Sequence, residues 1–180
     1  MRKIILSLMV VCASVFADGF VVGTEITYGK VSSDISASVP GASASVSTDT
    51  KSIGFAVKSG YQFDAVRVLG VVTSEKYKDD VIVFNEGSAV SIGAEVDYMI
   101  NNLFVGGMLA AGSKDFSGVD IDFTDVGVRA GGLFDLSEGV TIEAGIQYKK
   151  RGYDSYVYQG VTIGLDEKIV GLFVGVSFSL

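Results

Sequence analysis

Past its first 17 residues, the chain alternates between apolar residues and small or polar residues with a period of two. In the segment 20–28, the even positions are mostly apolar, and the odd positions mostly carry glycine, glutamate or threonine. This period places neighbouring side chains on opposite faces of a β-strand. Seven further segments repeat it, three of them less regularly: 53–63, 66–76, 90–98, 103–112, 124–134, 140–148 and 170–180. The pattern predicts eight strands of about ten residues, the length of a strand that crosses a membrane at a tilt.

The connections between these strands alternate in length. The segments 64–65, 101–102 and 135–139 are short and rich in turn residues. The long connections are the polar stretches 30–51, 77–88, 113–123 and 151–167. Short turns at one end and long loops at the other are typical of an antiparallel, up-and-down transmembrane β-barrel. We therefore predict this all-β fold, as one domain, for residues 18–180.

The first long stretch, 30–51, is symmetrical about Pro40-Gly41. A proline followed by a glycine suits the centre of a type II turn. The weakly β-like residues on either side predict a hairpin that extends the first two strands. A disordered loop rich in serine and alanine is the alternative.

Residues 1–17 have the organisation of a secretory signal peptide. Arg2 and Lys3 form a positive region, residues 4–11 are apolar, and Val15 and Ala17 occupy the small-residue positions before a cleavage site. We expect export of the chain and cleavage after Ala17.

Alternation alone does not say which face lines the barrel. A soluble lipocalin-type barrel would turn its apolar face inward, around a ligand. Two features favour the reverse arrangement. The apolar phase has no charge in the middle of any predicted strand, as a bilayer requires. The polar phase holds twelve glycines, which suit a crowded lumen better than a water-facing surface: Gly23, Gly29, Gly54, Gly60, Gly93, Gly106, Gly112, Gly127, Gly131, Gly145, Gly171 and Gly175.

Aromatic residues of the apolar phase fall near the ends of the predicted strands. Tyr28 and Tyr148 fall at the long-loop end. Those at the short-turn end are Phe20, Phe63, Tyr98, Phe134 and Phe178. We predict that they form two girdles, one at each membrane interface.

Charged residues also occur in the polar phase of the predicted strands, six acids and four bases: Glu25, Lys58, Arg67, Glu75, Glu95, Asp97, Asp125, Arg129, Glu143 and Lys149. An eight-stranded barrel is just wide enough for its interior side chains to fill it. Because buried charges need partners, we predict that these residues form a network of ion pairs and bound water that plugs the lumen. The alternative is a cation-selective or proton-conducting path, for which the excess of acids is the motivation.

The composition narrows the possible chemistry. The chain has 21 acidic residues against 14 basic ones and contains no histidine. The acidic balance disfavours nucleic acid as a partner, and the lack of histidine excludes Ser-His-acid catalysis. Asp115, Asp120 and Asp122 match no defined calcium loop, so we interpret them as solvated. We therefore expect no enzyme activity, no metal site and no cofactor.

Several segments resemble a known superfamily. They are Gly60 to Phe63 before a tight turn, the segments 103–107 and 143–148, and the alternating last strand. The chain is similar here to the small outer-membrane β-barrels, which include the OmpA transmembrane domain, the OmpX-like barrels and the porin-like opacity-type surface proteins.

This resemblance implies an integral protein of the outer membrane in a Gram-negative cell envelope. Its surroundings would be lipid and lipopolysaccharide, and the barrel-assembly machinery would insert it. The expected role is envelope integrity or surface interaction through the long extracellular loops, whose ligands the sequence does not name. A narrow porin-like channel for small solutes or cations is the alternative function.

Overall fold

The computed structural model describes residues 19–39, 42–78, 87–116, 119–154, 156–158 and 161–179. The signal peptide expected for residues 1–17 lies outside the described residues. Nine β-strands are the regular elements of the described chain: β1 (Phe20–Val39), β2 (Ala42–Phe63), β3 (Val66–Lys78), β4 (Gly87–Ile100), β5 (Leu103–Phe116), β6 (Val119–Ser137), β7 (Val140–Tyr153), β8 (Tyr156–Tyr158) and β9 (Val161–Ser179). In this part of the chain, no helix has the length and apolar character needed to cross a membrane.

Eight long strands form a closed antiparallel ring. Each strand from β1 to β7 pairs with the next long strand along the chain, so that β7 pairs with β9. The ring closes because β9 also pairs with β1, from Val21 opposite Ser179 to Ser38 opposite Thr162. The short strand β8 pairs with the start of β9 and adds no member to the ring. The predicted fold class, an eight-stranded up-and-down barrel, is confirmed.

The strands are longer than the predicted ten residues. The long ones run from 13 residues in β3 to 22 in β2. β1 and β2 stay paired to the end, with Val39 opposite Ala42, so the hairpin predicted for 30–51 is confirmed. Its Pro40-Gly41 turn lies outside the described residues. Much of 113–123 and 151–167, interpreted from the sequence as loops, also belongs to paired strands.

The three short turns join strands at the other end of the barrel. Asp64 and Asn101 each adopt a positive φ there, of 46° and 54°. Aspartate and asparagine tolerate this left-handed backbone better than most residues. At the third turn Gly139 has a φ of 74°, and β6 continues to Ser137, which leaves a tighter turn than the predicted 135–139.

The outer surface is apolar from the short turns up to the level of Tyr28 and Tyr148, and we call this surface the apolar belt. Ile92 and Leu172 within it are 69% and 62% exposed. The described strands present no charged side chain outward in the belt, whereas their inward positions carry the buried charges. The opposite assignment, an apolar interior around a ligand, is therefore wrong for this chain.

Most of the predicted girdle aromatics lie on the outer surface. Six of the seven are exposed: Tyr28, Phe63, Tyr98, Phe134, Tyr148 and Phe178. The prediction that Phe20 belongs to the exposed girdle is wrong, because its side chain is buried. Its ring packs edge-on against that of Tyr61, its partner across the β1–β2 pair, with 5.8 Å between the ring centroids. Tyr61 in turn stacks on Phe63, so these three rings form one aromatic cluster at the short-turn end.

Candidate functional site: a lumen filled with ion pairs

The barrel interior holds the ten charged residues predicted to face it. All ten side chains are buried: Glu25, Lys58, Arg67, Glu75, Glu95, Asp97, Asp125, Arg129, Glu143 and Lys149. Their ion pairs divide into two groups along the barrel axis, and no ion pair between described residues joins the two groups. We call the group nearer the short turns the lower layer. The group nearer the opposite end of the barrel, where the β1–β2 hairpin extends, is the upper layer.

The lower layer contains four acids and three bases: Glu25, Lys58, Arg67, Glu95, Asp97, Arg129 and Glu143. Arg129 on β6 lies at its centre. Its guanidinium donates to Glu25 on β1, with Nη2 3.0 Å from Oε2, and also to Glu95 on β4. Lys58 on β2 binds the same two carboxylates, with Nζ 2.9 Å from Glu95 Oε2. One carboxylate therefore serves two cations at each of these positions.

Arg67 joins the remaining acids of the lower layer. Its Nη2 lies 2.8 Å from Asp97 Oδ2 and 3.0 Å from Glu143 Oε2. Two buried atoms of the layer have no hydrogen-bond partner among the described residues, Asp97 Oδ1 and Arg129 Nε. These two atoms face each other at 3.7 Å, an ion-pair distance that is too long for a hydrogen bond.

Two phenylalanines of the lumen pack against these guanidinium groups. The Arg129 guanidinium carbon is 4.4 Å from the Phe173 ring centroid and 5.1 Å from that of Phe104. This geometry allows cation–π attraction. A Cβ at Gly145 would come within 2.6 Å of the Phe173 ring, and one at Gly131 within 2.9 Å of the Phe104 ring. A carbonyl oxygen of the neighbouring strand would be closer still, at 2.2 Å and 2.6 Å, so glycine at these lumenal positions makes room for both the backbone and the rings.

The upper layer contains three acids and three bases: Glu75, Lys114, Asp125, Lys149, Arg151 and Glu167. Arg151 holds Asp125 through two hydrogen bonds of 2.7 Å, from Nε and from Nη2. Its Nη2 also lies 2.7 Å from Glu75 Oε2. Lys149 binds Glu75 as well and lies 3.3 Å from Asp125. Two-point recognition of a carboxylate by arginine fixes geometry as well as charge.

Half of the upper layer was missed from the sequence. Lys114, Arg151 and Glu167 are fully buried in the lumen, and Lys114 Nζ lies 2.7 Å from Glu167 Oε1. They fall in the stretches 113–123 and 151–167, which the sequence pattern marked as loops. The available signal was that these residues share the inward phase of the adjoining predicted strand, which precedes Lys114 and Arg151 and follows Glu167. In the neighbouring sequence, Lys150 and Lys168 face outward, which masks the alternation.

Two tyrosines complete the upper layer, Tyr77, which is buried, and Tyr153, which is partly buried. Tyr153 donates to Glu167 with 2.9 Å between the oxygens, and Tyr77 donates to Glu75 at 3.0 Å. Both residues lie above the apolar belt. Burial, together with the neighbouring carboxylates, raises the pKa of both phenols above its ordinary value. The two hydroxyls therefore remain neutral donors well above neutral pH.

Burial also acts on Lys114, where it disfavours the charged ammonium form. Its ammonium lies 3.6 Å from the centroid of the Tyr77 ring. Burial lowers the pKa of Lys114, and the attraction of Glu167 opposes this shift only in part. Above the belt, Tyr77 also belongs to a buried apolar cluster with Val31, Phe123 and Ile169, so charge and apolar packing share this end of the lumen.

A cavity of about 40 Å³ lies between the two layers. Its polar lining includes Glu25 and Glu95 below, and Glu75, Asp125 and Lys149 above. This volume holds about three water molecules. The interior is thus a small chamber between two layers of paired charges.

The arrangement offers no metal site that the described residues reveal. No cluster of three or more acidic or cysteine side chains in this part of the chain is placed to hold an ion. Asp115, Asp120 and Asp122 are exposed. They lie on β5 and β6, where Asp115 is directly opposite Asp120.

The architecture matches solved structures over nearly the whole chain. The structure of Neisserial surface protein A aligns with 92% of this chain and 99% of its own, at 22% sequence identity and a TM-score of 0.56. This chain has the fold of the small outer-membrane β-barrels. The outer membrane protein AlkL, solved in lipid bilayers, shares this fold at 12% identity, with 92% of each chain covered and a TM-score of 0.50.

A more distant structural match adds nothing about the activity of this chain. The outer membrane protease OmpT from Escherichia coli aligns with 89% of this chain and 97% of its own, at 9% identity and a TM-score of only 0.46. No family model matches the chain, and no curated protein matches it. The fold is that of integral outer-membrane proteins, and the apolar belt of this barrel suits that surrounding.

Proposed function

We propose that this chain is a non-enzymatic, non-conducting barrel of the outer membrane. Its lumen is plugged, and its role is envelope integrity or surface interaction through its long extracellular loops, among them the β1–β2 hairpin. Two observations support the non-enzymatic part. The chain has no histidine, and each of the seven lumenal acids is within 4 Å of a lysine or arginine, where it is held in an ion pair rather than available as a base.

The observation that carries the plugged lumen is the complete pairing of its bases. All six lumenal lysines and arginines have a carboxylate partner, and they lie in two layers at different depths. An ion entering from either end would have to separate buried ion pairs, which costs several kcal/mol for each charge left unpaired. Two such barriers in series leave the cavity between them isolated.

Single-channel recording in planar lipid bilayers tests this proposal. The folded mature barrel is added from detergent, and its insertion is verified by the heat-dependent shift of its gel migration. We expect bilayers containing the wild-type barrel to be as electrically tight as protein-free ones. The Arg129→Ala/Arg151→Ala variant, which removes the central cation of both layers, serves as the comparison and should give measurable current. A reproducible open channel from the wild-type barrel would overturn the proposal.

A narrow cation channel remains the competing function. Its support is the cavity and the excess of lumenal acid, seven acids against six bases once Lys114, Arg151 and Glu167 are included. The ten predicted residues alone gave six against four, so the added residues reduce this excess from two to one. The channel hypothesis requires that Glu95→Gln/Asp97→Asn lower the preference for cations over anions. Unchanged selectivity, or no current in any variant, would count against it.

A further inference from the structure

The exposed basic residues of the chain are confined to one part of its outer surface. Of the 14 lysines and arginines, Arg2 and Lys3 belong to the first 17 residues and six are buried in the lumen. The remaining six are exposed on five adjacent strands, β7, β9, β1, β2 and β3: Lys30, Lys51, Lys76, Lys78, Lys150 and Lys168. We call these six residues the basic sector.

The basic sector lies directly above the apolar belt. Lys30 follows the girdle residue Tyr28 by two positions, and Lys150 follows Tyr148 in the same way. The rim of the barrel at this end continues on its other side with β5 and β6, which present Asp115, Asp120 and Asp122 instead. Exposed charges at the short-turn end are acidic, at Asp64, Asp135 and Glu138. Positive charge is therefore placed at one interface and on one side of the barrel.

The strand register brings these lysines together. Lys30 is directly opposite Lys51, which is itself opposite Lys78 on the next strand, and Lys150 is directly opposite Lys168. Like charges directly opposite each other destabilise a sheet. Three exposed aspartates form ion pairs of 2.7 to 3.8 Å with lysines of the sector, and such exposed pairs contribute little: Asp34, Asp49 and Asp166. The other three lysines form no ion pair with any described residue.

We propose that the basic sector binds the phosphate groups of lipid A in the outer leaflet. This rests on the proposed function, because it needs the hairpin end of the barrel to face the cell exterior. Lipid A carries phosphates on its sugar backbone, next to its acyl chains, which is the depth at which the sector meets the belt. Lysine suits such a site because its apolar stem can lie on the belt while its ammonium reaches the phosphate. A phosphate bound between neighbouring lysines relieves the repulsion that the register creates.

The test reconstitutes the full mature barrel into four kinds of phosphatidylcholine vesicle. One is pure, and the others contain bisphosphorylated lipid A, the same lipid A without its phosphates, or phosphatidylglycerol at equal charge. Lipid retained by the extracted barrel and the unfolding temperature are measured for each. The variant Lys51→Gln/Lys78→Gln is compared with the charge-conserving Lys51→Arg/Lys78→Arg and with Asp120→Asn/Asp122→Asn on the opposite side of the rim.

We expect phosphorylated lipid A to raise the unfolding temperature of the wild-type barrel and to remain bound to it. The glutamine variant should retain it about tenfold less. The arginine and aspartate variants should behave as the wild type does. Equal effects of lipid A with and without phosphates would overturn the proposal, as would equal retention by the glutamine variant. An equal effect of phosphatidylglycerol would refute lipid A as the specific partner.

The same vesicles separate this proposal from the proposed function. Ion leakage from pure phosphatidylcholine vesicles containing the wild-type barrel would refute the plugged lumen without affecting the lysine result. Absence of the heat-dependent gel shift in all vesicles would refute the membrane barrel itself. Loss of lipid A retention in the glutamine variant, with a tight lumen and a normal gel shift, would support both proposals.

Discussion

The two charged layers of the lumen have different surroundings. The lower layer lies within the apolar belt and contains four acids for three bases, with Asp97 Oδ1 and Arg129 Nε lacking a hydrogen-bond partner among the described residues. The upper layer reaches above the belt, balances three acids with three bases, and adds hydrogen bonds from Tyr77 and Tyr153. Pairing is thus less complete in the layer that lipid surrounds and more complete in the layer nearer water.

The upper layer also packs like the core of a soluble protein. The Arg151 guanidinium carbon lies 3.7 Å from the Phe123 ring centroid, and Phe123 belongs to the buried apolar cluster of Val31, Tyr77 and Ile169. Above the belt the outer face no longer contacts hydrocarbon chains, so strand pairing there depends more on inward packing. The comparison indicates that the barrel continues past the bilayer because it has a second, internal source of stability.

Removal of the central cation of the lower layer should have the largest effect. Arg129→Met leaves Glu25 and Glu95 sharing only Lys58, in a layer that already has excess acid. We expect unfolding in urea from lipid vesicles to become easier by about 3 to 5 kcal/mol. Arg151→Met should cost less, because it leaves three acids for two bases in the upper layer, whereas Arg129→Met leaves four acids for two bases in the lower layer. An equal or smaller loss for Arg129→Met would show that the two layers do not differ in this respect.

Neutralising one acid in each layer tests the charge balance. Asp125→Asn leaves the upper layer with three bases and two acids and breaks the two-point contact with Arg151. We expect a loss of about 3 kcal/mol in the free energy of unfolding. Asp97→Asn makes the lower layer neutral, at three bases and three acids, and should cost only about 1 kcal/mol. The reverse order would contradict the assigned excess of acid in the lower layer.

The lumenal glycines allow the aromatic contacts of both layers to be disturbed without changing any charge. A Cβ at Gly145 would meet the Phe173 ring at 2.6 Å, and one at Gly112 the Phe123 ring at 2.8 Å; each would also meet a carbonyl oxygen of the neighbouring strand at 2.2 Å. Either change to alanine should reduce the free energy of unfolding by about 1 to 3 kcal/mol. Gly93→Ala is the matched control, because a Cβ there would also meet a backbone oxygen, that of Leu109 at 2.3 Å, with no aromatic ring among its nearest atoms. A similar loss in the control would attribute the effect to strand geometry rather than to ring packing.

The smallest expected effect is a change in the ultraviolet absorbance of ionised tyrosine, and it concerns the two tyrosines of the upper layer. Because burial raises the pKa of Tyr77 and Tyr153 in the folded barrel, neither phenol should ionise near pH 10, the ordinary value. The double variant Tyr77→Phe/Tyr153→Phe should show the same absorbance rise between pH 9 and 11 as the wild type. After unfolding, the rise should be smaller in the variant. Since only the unfolded state ionises these groups there, stability should fall as the pH rises above 10.

The sequence predicted the lower layer better than the upper one for a physical reason. Within the bilayer, lipid demands an apolar outer face, so Glu95 and Asp97 stand out against an apolar phase. Above the belt both faces are polar, and the period of two loses its contrast. Arg151 and Glu167 were missed for that reason.

The pairing within each layer could not be predicted. Arg67 on β3 meets Glu143 on β7, 76 residues away and across the lumen. Such contacts depend on the curvature of the closed ring, which no local pattern specifies. Phe20 has the outward phase expected of it, but the position of Tyr61 over its ring was not readable from alternation.

The ion pair between Arg129 and Glu25 has a consequence for the order of assembly. The two residues are 104 positions apart, on β6 and β1. In an open sheet they lie far from each other, and they meet only when β1 reaches β9. A partly assembled sheet would therefore present unpaired charges to hydrocarbon, at a cost that disfavours it. Insertion and ring closure should then occur as one cooperative event, with half-built barrels nearly absent from the membrane.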